Sequence, residues 1–88
     1  MEKSIKKINY SKSIKNLFDD IKEILINEVK AENSEYEYIS LNGLKENAIL
    51  YLPTKSQSCA IALYNLVMNP KDEAYEYRML LNIYNNLK

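Results

Sequence analysis

Few residues of this chain have both the chemical type and the spacing that a catalytic or metal-binding site requires. Its 88 residues include no histidine and a single cysteine, Cys59. Without histidine, no serine or cysteine nucleophile can be paired with an imidazole base, and no metal can be bound through imidazole. The adjacent acids Asp19 and Asp20 diverge by about 100° on a helix, and no third ligand follows at a suitable spacing. The sequence therefore predicts a protein that is not an enzyme, with no cofactor and no catalytic or metal-binding residue.

Cys59 lies in the longest run of the chain that has no charged and almost no polar residue, residues 58 to 68, with the sequence SCAIALYNLVM. Its apolar neighbours predict a buried thiol with a structural role, because a reactive thiolate needs a positive environment. A single cysteine excludes an intramolecular disulfide and hence a small secreted scaffold held by disulfides. The chain also shows no stretch typical of a signal peptide or a membrane span. We therefore expect a cytoplasmic protein that does not associate with a membrane.

The segment of residues 54 to 58, TKSQS, precedes this apolar run. The free backbone N–H groups of a helix start, two kinds of hydroxyl and Lys55 are groups that can hold a phosphate or a carboxylate. The segment has no glycine that would let the backbone wrap around an anion, as a phosphate-binding loop does. Helix capping by a box formed from Thr54 and Gln57 is therefore the favoured interpretation.

Charge is distributed unevenly along the chain, although its 12 basic and 12 acidic residues give a net charge of zero. The first fifteen residues are net +4, whereas residues 16 to 46 contain eight acids and three lysines and are net −5. A solvated surface explains both regions without any function. The functional interpretation is that the acidic region docks on a basic protein and that the basic region contacts phosphates.

Two sets of candidate binding residues follow from this distribution. Tyrosine occurs eight times in the chain against one phenylalanine, and its apolar ring with a polar edge suits interfaces. The predicted partner-binding residues are Glu32, Glu35, Tyr36, Glu37 and Tyr38. The alternative set would bind nucleic acid, with a tyrosine stacking on bases, and consists of Lys3, Lys6, Lys7, Tyr10, Lys12 and Lys15.

Hydrophobic periodicity predicts three helices that would position these residues. The first begins at Ser11 or Ser13, the central one is the uncharged run, which ends before Asn69-Pro70, and the third begins with Pro70 at its first position. The apolar stripe of the first helix is Ile14, Leu17, Phe18, Ile21, Ile24, Leu25 and Val29. The stripe of the third helix is Ala74, Tyr77, Leu80, Leu81, Tyr84 and Leu87.

A β-hairpin is predicted between the first helix and the central one. Residues 36 to 41, YEYISL, and residues 48 to 52, AILYL, have β-type composition, and Pro53 would end the second strand. The turn is formed either by Asn42-Gly43 or by a longer loop, so the register stays open. Because two isolated strands are marginally stable in water, the hairpin must pack on the helices or extend across a subunit boundary.

The predicted fold is therefore a single small α+β domain in the order α-β-β-α-α, with an antiparallel hairpin packed against helices. Residues 1 to 12 are predicted to form a flexible basic arm, and residues 13 to 88 the domain. We expect a non-catalytic binding or regulatory protein that acts by protein–protein contact, as a homodimer. The most specific version is a viral or mobile-element inhibitor or adaptor of a host protein. The alternative is a small nucleic-acid-binding protein that uses the basic arm.

Overall fold

A computed structural model describes residues 10 to 88 and shows four helices in this range. The helices are α1 (Tyr10–Glu32), α2 (Leu41–Tyr51), α3 (Thr54–Met68) and α4 (Glu73–Leu87). They account for 81% of the described residues, none of which lies in a β-strand. The predicted α+β class and the α-β-β-α-α order are therefore wrong. The described part of the chain is a small helical bundle.

The cap of α2 explains why the predicted hairpin turn does not form. Ser40 has an extended backbone (φ −149°, ψ 159°), and its hydroxyl accepts a hydrogen bond from the Gly43 backbone N–H at 3.0 Å. This contact satisfies one of the free donors of a helix start. Asn42 and Gly43 consequently lie in the first turn of a helix and do not connect two strands.

The burial pattern of α2 explains why residues 48 to 52 do not form a strand. Leu44 and Ala48 are fully buried, and Leu52, which follows the helix, is 6% exposed. Alternate residues of a strand share one face, so a strand would bury Leu50 together with Ala48 and Leu52. Leu50 is instead 74% exposed. Burial of a helical face therefore outweighs the β-type composition of this stretch.

α1 supplies the longest apolar face of the domain and packs most extensively along α4. Ile21, Leu25 and Val29 recur every four residues and are fully buried, and Leu80 and Ile83 of α4 are buried in the same core. Every residue of the stripe predicted for α1 is buried or half-buried, and so is every residue of the stripe predicted for α4. Both helical stripes are confirmed.

α3 contacts each of the other three helices, as α1 does. Its buried residues are Ser56, Cys59, Ala60 and Leu63. The predicted capping box is wrong, because Pro53 is the N-cap residue and no side-chain hydrogen bond caps the helix. Gln57 Nε2 donates instead to the Leu52 carbonyl oxygen at 2.7 Å, which ties the start of α3 to the end of α2.

The linker between α3 and α4 ends in a capped helix start. The Tyr75 backbone N–H donates to Asp72 Oδ1 at 2.8 Å, and the Lys71 backbone N–H donates to Glu76 Oε2 at 3.0 Å. The carboxylate of Glu76 lies in the first turn, where the helix dipole favours negative charge. α3 ends before Asn69-Pro70 as predicted, but Pro70 lies in the linker and not at the first position of α4.

Candidate partner-binding surface

The loop of residues 33 to 40 joins α1 to α2 and contains four of the five predicted partner-binding residues. Asn33 forms its first turn. The Asn33 backbone N–H donates to the Val29 carbonyl at 2.7 Å, and the Asn33 carbonyl accepts from the Tyr36 N–H at 3.0 Å. The Asn33 side-chain oxygen accepts from the Glu35 backbone N–H at 3.3 Å, as asparagine commonly does in turns. With Ser40 capping α2, the loop is fixed at both ends.

Tyr36 anchors this loop in the core. Its side chain is 9% exposed and belongs to the main hydrophobic cluster. The phenol oxygen has no hydrogen-bond partner among residues 10 to 88. Burial, with a smaller effect of Tyr38, raises the pKa of the Tyr36 phenol above its usual value of 10.0. The Tyr36 ring therefore holds the loop in position and is not presented to solvent.

Replacing Tyr36 with phenylalanine should leave the free energy of unfolding unchanged or raise it by about 1 kcal/mol, because a buried hydroxyl without a partner is costly. Denaturation with urea at pH 7 measures this change. Tyr51→Phe is the matched control, since Tyr51 is 43% exposed and the substitution should be neutral there. A clear loss of stability in Tyr36→Phe would show that the hydroxyl makes a stabilising hydrogen bond.

The same substitution should alter stability at high pH. Because the folded pKa of Tyr36 is raised, its contribution is fully present below the unfolded pKa of about 10 and is lost as pH rises through the folded pKa. Wild type should therefore lose stability as the pH rises above about 10, and Tyr36→Phe should lose less. Equal losses in both proteins would contradict the proposed burial of the phenol.

Tyr38 adds a second contact between the loop and α1. Its side chain is half-buried against the core. The Lys22 ammonium nitrogen lies 5.1 Å from the centre of the Tyr38 ring and 5.6 Å from the centre of the Phe18 ring. A cation over an aromatic face at this exposure stabilises by about 0.5 to 1 kcal/mol. Lys22 thus fastens the loop to the surface of α1.

The other side of the segment faces solvent. Glu32 at the end of α1 and Glu35 and Glu37 in the loop are exposed, and none of their carboxylates makes an ion pair or hydrogen bond within the described chain. Ile39 is 85% exposed, the highest value for a large apolar side chain in residues 10 to 88. We call Glu32, Glu35, Glu37 and Ile39 together the acidic surface.

Ile39 was not among the residues predicted from the sequence to bind a partner. The available signal was the alternation in residues 36 to 39, which sets Ile39 on the side of the backbone opposite Tyr36 and Tyr38. The backbone is extended at Ser40, and the two tyrosines are buried or half-buried while Glu37 and Ile39 are exposed. The side chains of residues 36 to 39 therefore alternate between buried and exposed positions, although no strand forms.

The predicted nucleic-acid-binding residues are distributed differently. Lys3, Lys6 and Lys7 lie outside the described residues, and Tyr10 to Lys12 begin α1. The Tyr10 ring packs against Tyr77 with a centroid distance of 5.5 Å. Lys15 Nζ lies 2.9 Å from Asp19 Oδ2, and this hydrogen bond lowers the pKa of the Asp19 carboxyl. Tyr10 and Lys15 are thus engaged within the domain.

The remaining candidate groups offer no reactive site in the described residues. Cys59 is buried as predicted, with its sulfur 3.9 Å from the Ile83 carbonyl oxygen, and burial raises the pKa of the thiol. No group of three acidic, cysteine or histidine side chains between residues 10 and 88 could hold a metal ion. No helix in this range is both long and apolar enough to cross a membrane.

Comparisons of the chain with protein-family models, curated proteins and solved structures give no significant match. We therefore base the functional proposal on the surfaces of the chain itself.

Proposed function

We propose that this chain is a non-catalytic binding protein whose acidic surface docks on a basic protein. The observation that supports the proposal is the combination of three exposed carboxylates, none in an ion pair within residues 10 to 88, with Ile39, which is 85% exposed. An apolar anchor together with exposed charged groups can give a protein interface both affinity and selectivity. Ile39 would enter a pocket of the partner, and the carboxylates would select a basic rim.

The loop is held in place by the domain before any partner arrives. Asn33 fixes its start, Ser40 fixes its end, and the buried Tyr36 ring holds its middle. A segment that is already ordered loses little conformational entropy on binding, so more of its contact energy appears as affinity.

The charge of the segment indicates the chemistry of the partner. Residues 31 to 40 contain three acids and no basic residue. A surface of one sign attracts the opposite sign over roughly a Debye length, about 8 Å at physiological salt. A protein face that normally contacts nucleic acid has the required positive charge. The narrower idea of a viral or mobile-element inhibitor or adaptor of a host protein stays a prediction.

Affinity capture from an extract of the cells that encode the chain tests this proposal. The variant with Glu32→Lys, Glu35→Lys and Glu37→Lys should retain its partner at least about tenfold less than wild type, because each reversed charge replaces attraction by repulsion. The matched control reverses Asp20, Glu23 and Glu46, which are also exposed, and gives the same net charge. Equal retention by both variants would refute the assignment of the contact to this surface.

Three further expectations stand beside this proposal. A cytoplasmic location is supported by the single buried thiol of Cys59. A homodimer stays a prediction, but extension of the predicted hairpin across a subunit boundary, which was one option for its interface, is wrong, because residues 10 to 88 contain no strand. Nucleic-acid binding stays the alternative, with less support, since Lys15 is paired with Asp19 and Tyr10 packs on Tyr77.

A further inference from the structure

A groove runs along the junction of α3 and α4. It consists of two adjoining clefts of about 420 and 340 Å³, and Ala62 and Met79 line both of them. Leu66 and Ile83 add apolar surface, one in each cleft. The groove therefore has an apolar floor long enough to receive a segment of chain, and it is separate from the acidic surface.

The rim of this groove is positive and rich in hydrogen-bond donors. Lys71 lines one cleft and Lys55 the other, and no carboxylate lines either cleft. Both lysines are exposed, and neither ammonium group has an ion-pair partner among the described residues. Four amide side chains complete the rim: Asn65, Asn69, Asn82 and Asn86. Lys55 and Lys71 are the charged side chains in the lining of the two clefts.

We propose that the α3–α4 groove binds an amphipathic helix of a partner protein that carries acidic residues at both ends. Lys55 lies in the first turn of α3, and Lys71 lies beyond its last residue. A helix of 15 residues is about 22 Å long, so the two lysines stand roughly 20 to 25 Å apart. A bound helix of about 16 residues spans this distance and brings one acidic end to each lysine.

The floor of the groove favours a protein segment over nucleic acid. Met79 is a flexible, polarisable side chain of the kind that lines helix-binding grooves, where it adapts to several apolar partners. Single-stranded nucleic acid requires stacking rings and a row of cations along its backbone. The groove has one aromatic side chain in its lining, Tyr75, and its two lysines stand at opposite ends.

With this groove the chain has two binding surfaces of opposite charge. The acidic surface would select a basic protein, and the groove an acidic helix. A protein that engages both at once is an adaptor, because one domain then holds two partners together. The groove does not depend on the acidic surface, because no residue of the acidic surface lines the groove.

Selection from a displayed library of random peptides of about 16 residues, with the full chain as bait, tests the groove. Enriched peptides should carry apolar residues at helical spacing (i, i+3, i+4, i+7) and acids near both ends. For a labelled enriched peptide, fluorescence anisotropy should show that Lys55→Glu with Lys71→Glu raises Kd by about tenfold or more. The control Lys30→Glu with Lys88→Glu makes the same change in net charge at exposed sites outside the groove.

A second variant tests the apolar floor. Ala62→Arg should weaken the same peptide by at least about tenfold, because the longer side chain fills the junction of the two clefts. Circular dichroism of each variant shows whether its helices persist. The variant Lys55→Glu with Lys71→Glu changes only exposed residues, so it tests the groove without altering the packed side chains.

Three results would overturn the inference. They are enrichment of neutral or basic peptides, equal affinities for the lysine variant and its charge-matched control, and an oligonucleotide that binds the groove and displaces the peptide. Reversal of Glu32, Glu35 and Glu37 should leave peptide affinity within about twofold of wild type, because these carboxylates lie outside the groove. Failure of the groove and failure of the acidic surface are thereby distinguished.

Discussion

Replacing Leu63 with alanine should lower the free energy of unfolding by about 3 kcal/mol. Leu63 is completely buried on α3, which packs against all three other helices. Truncating its side chain removes apolar surface from the core and leaves a cavity that the neighbouring helices fill only in part. A domain of this size has a total stability of only about 5 to 10 kcal/mol, so the loss is a large fraction of the whole. Urea denaturation followed by circular dichroism measures it.

Leu50→Ala is the matched control for this change. It is the same substitution within a helix, but the Leu50 side chain is 74% exposed. Its effect should stay within about 0.5 kcal/mol, because a surface side chain contributes little to the core. If Leu63→Ala and Leu50→Ala were equally stable, the burial of Leu63 in the core would be wrong.

Replacing Ser56 with alanine should lower the free energy of unfolding by about 2 kcal/mol. Ser56 is 6% exposed, and its hydroxyl donates to Glu28 Oε1 at 2.7 Å, which links α3 to α1. Alanine would leave the half-buried Glu28 carboxylate without this donor. Glu28→Gln keeps an oxygen acceptor at the same place and should cost less than Ser56→Ala.

Ser58→Ala is the control for this contact. Ser58 lies two residues further along the same helix, is exposed, and makes no side-chain hydrogen bond in the described structure. Both substitutions gain the same helix propensity, so the difference between them isolates the hydrogen bond to Glu28. Equal stabilities of the two variants, measured by thermal unfolding, would show that this hydrogen bond does not contribute.

Periodicity predicted three of the four helices because their apolar faces are long. The α1 stripe repeats over several turns, and the run of residues 58 to 68 is too rich in alanine, leucine and methionine for a strand. α2 is not predicted, because Asn42-Gly43 is a strong turn signal and the residues on either side of it have β-type composition. Ser40 is an effective N-cap, but a capping box needs glutamate or glutamine three residues later, and that position is Gly43.

The acidic surface could be predicted only in part. Exposure of Glu32, Glu35 and Glu37 follows from their charge, because ionised carboxylates are rarely buried without a partner. Tyr36 lies outside the helices, so its burial in the core cannot be predicted from helical periodicity. The α3–α4 groove requires two neighbouring helices, and the contributions of Lys55 and Lys71 to one rim become evident only once α3 and α4 are packed together.

Site-specific photo-crosslinking tests the proposed docking of the acidic surface most directly. A benzophenone side chain in place of Ile39 should crosslink to a basic protein in an extract of the cells that encode the chain. Reversal of Glu32, Glu35 and Glu37 should abolish that product. The same probe at Asn85, an exposed position of α4, should not form it. Identical products from both positions, or a product at Ile39 that persists after charge reversal, would contradict the proposal.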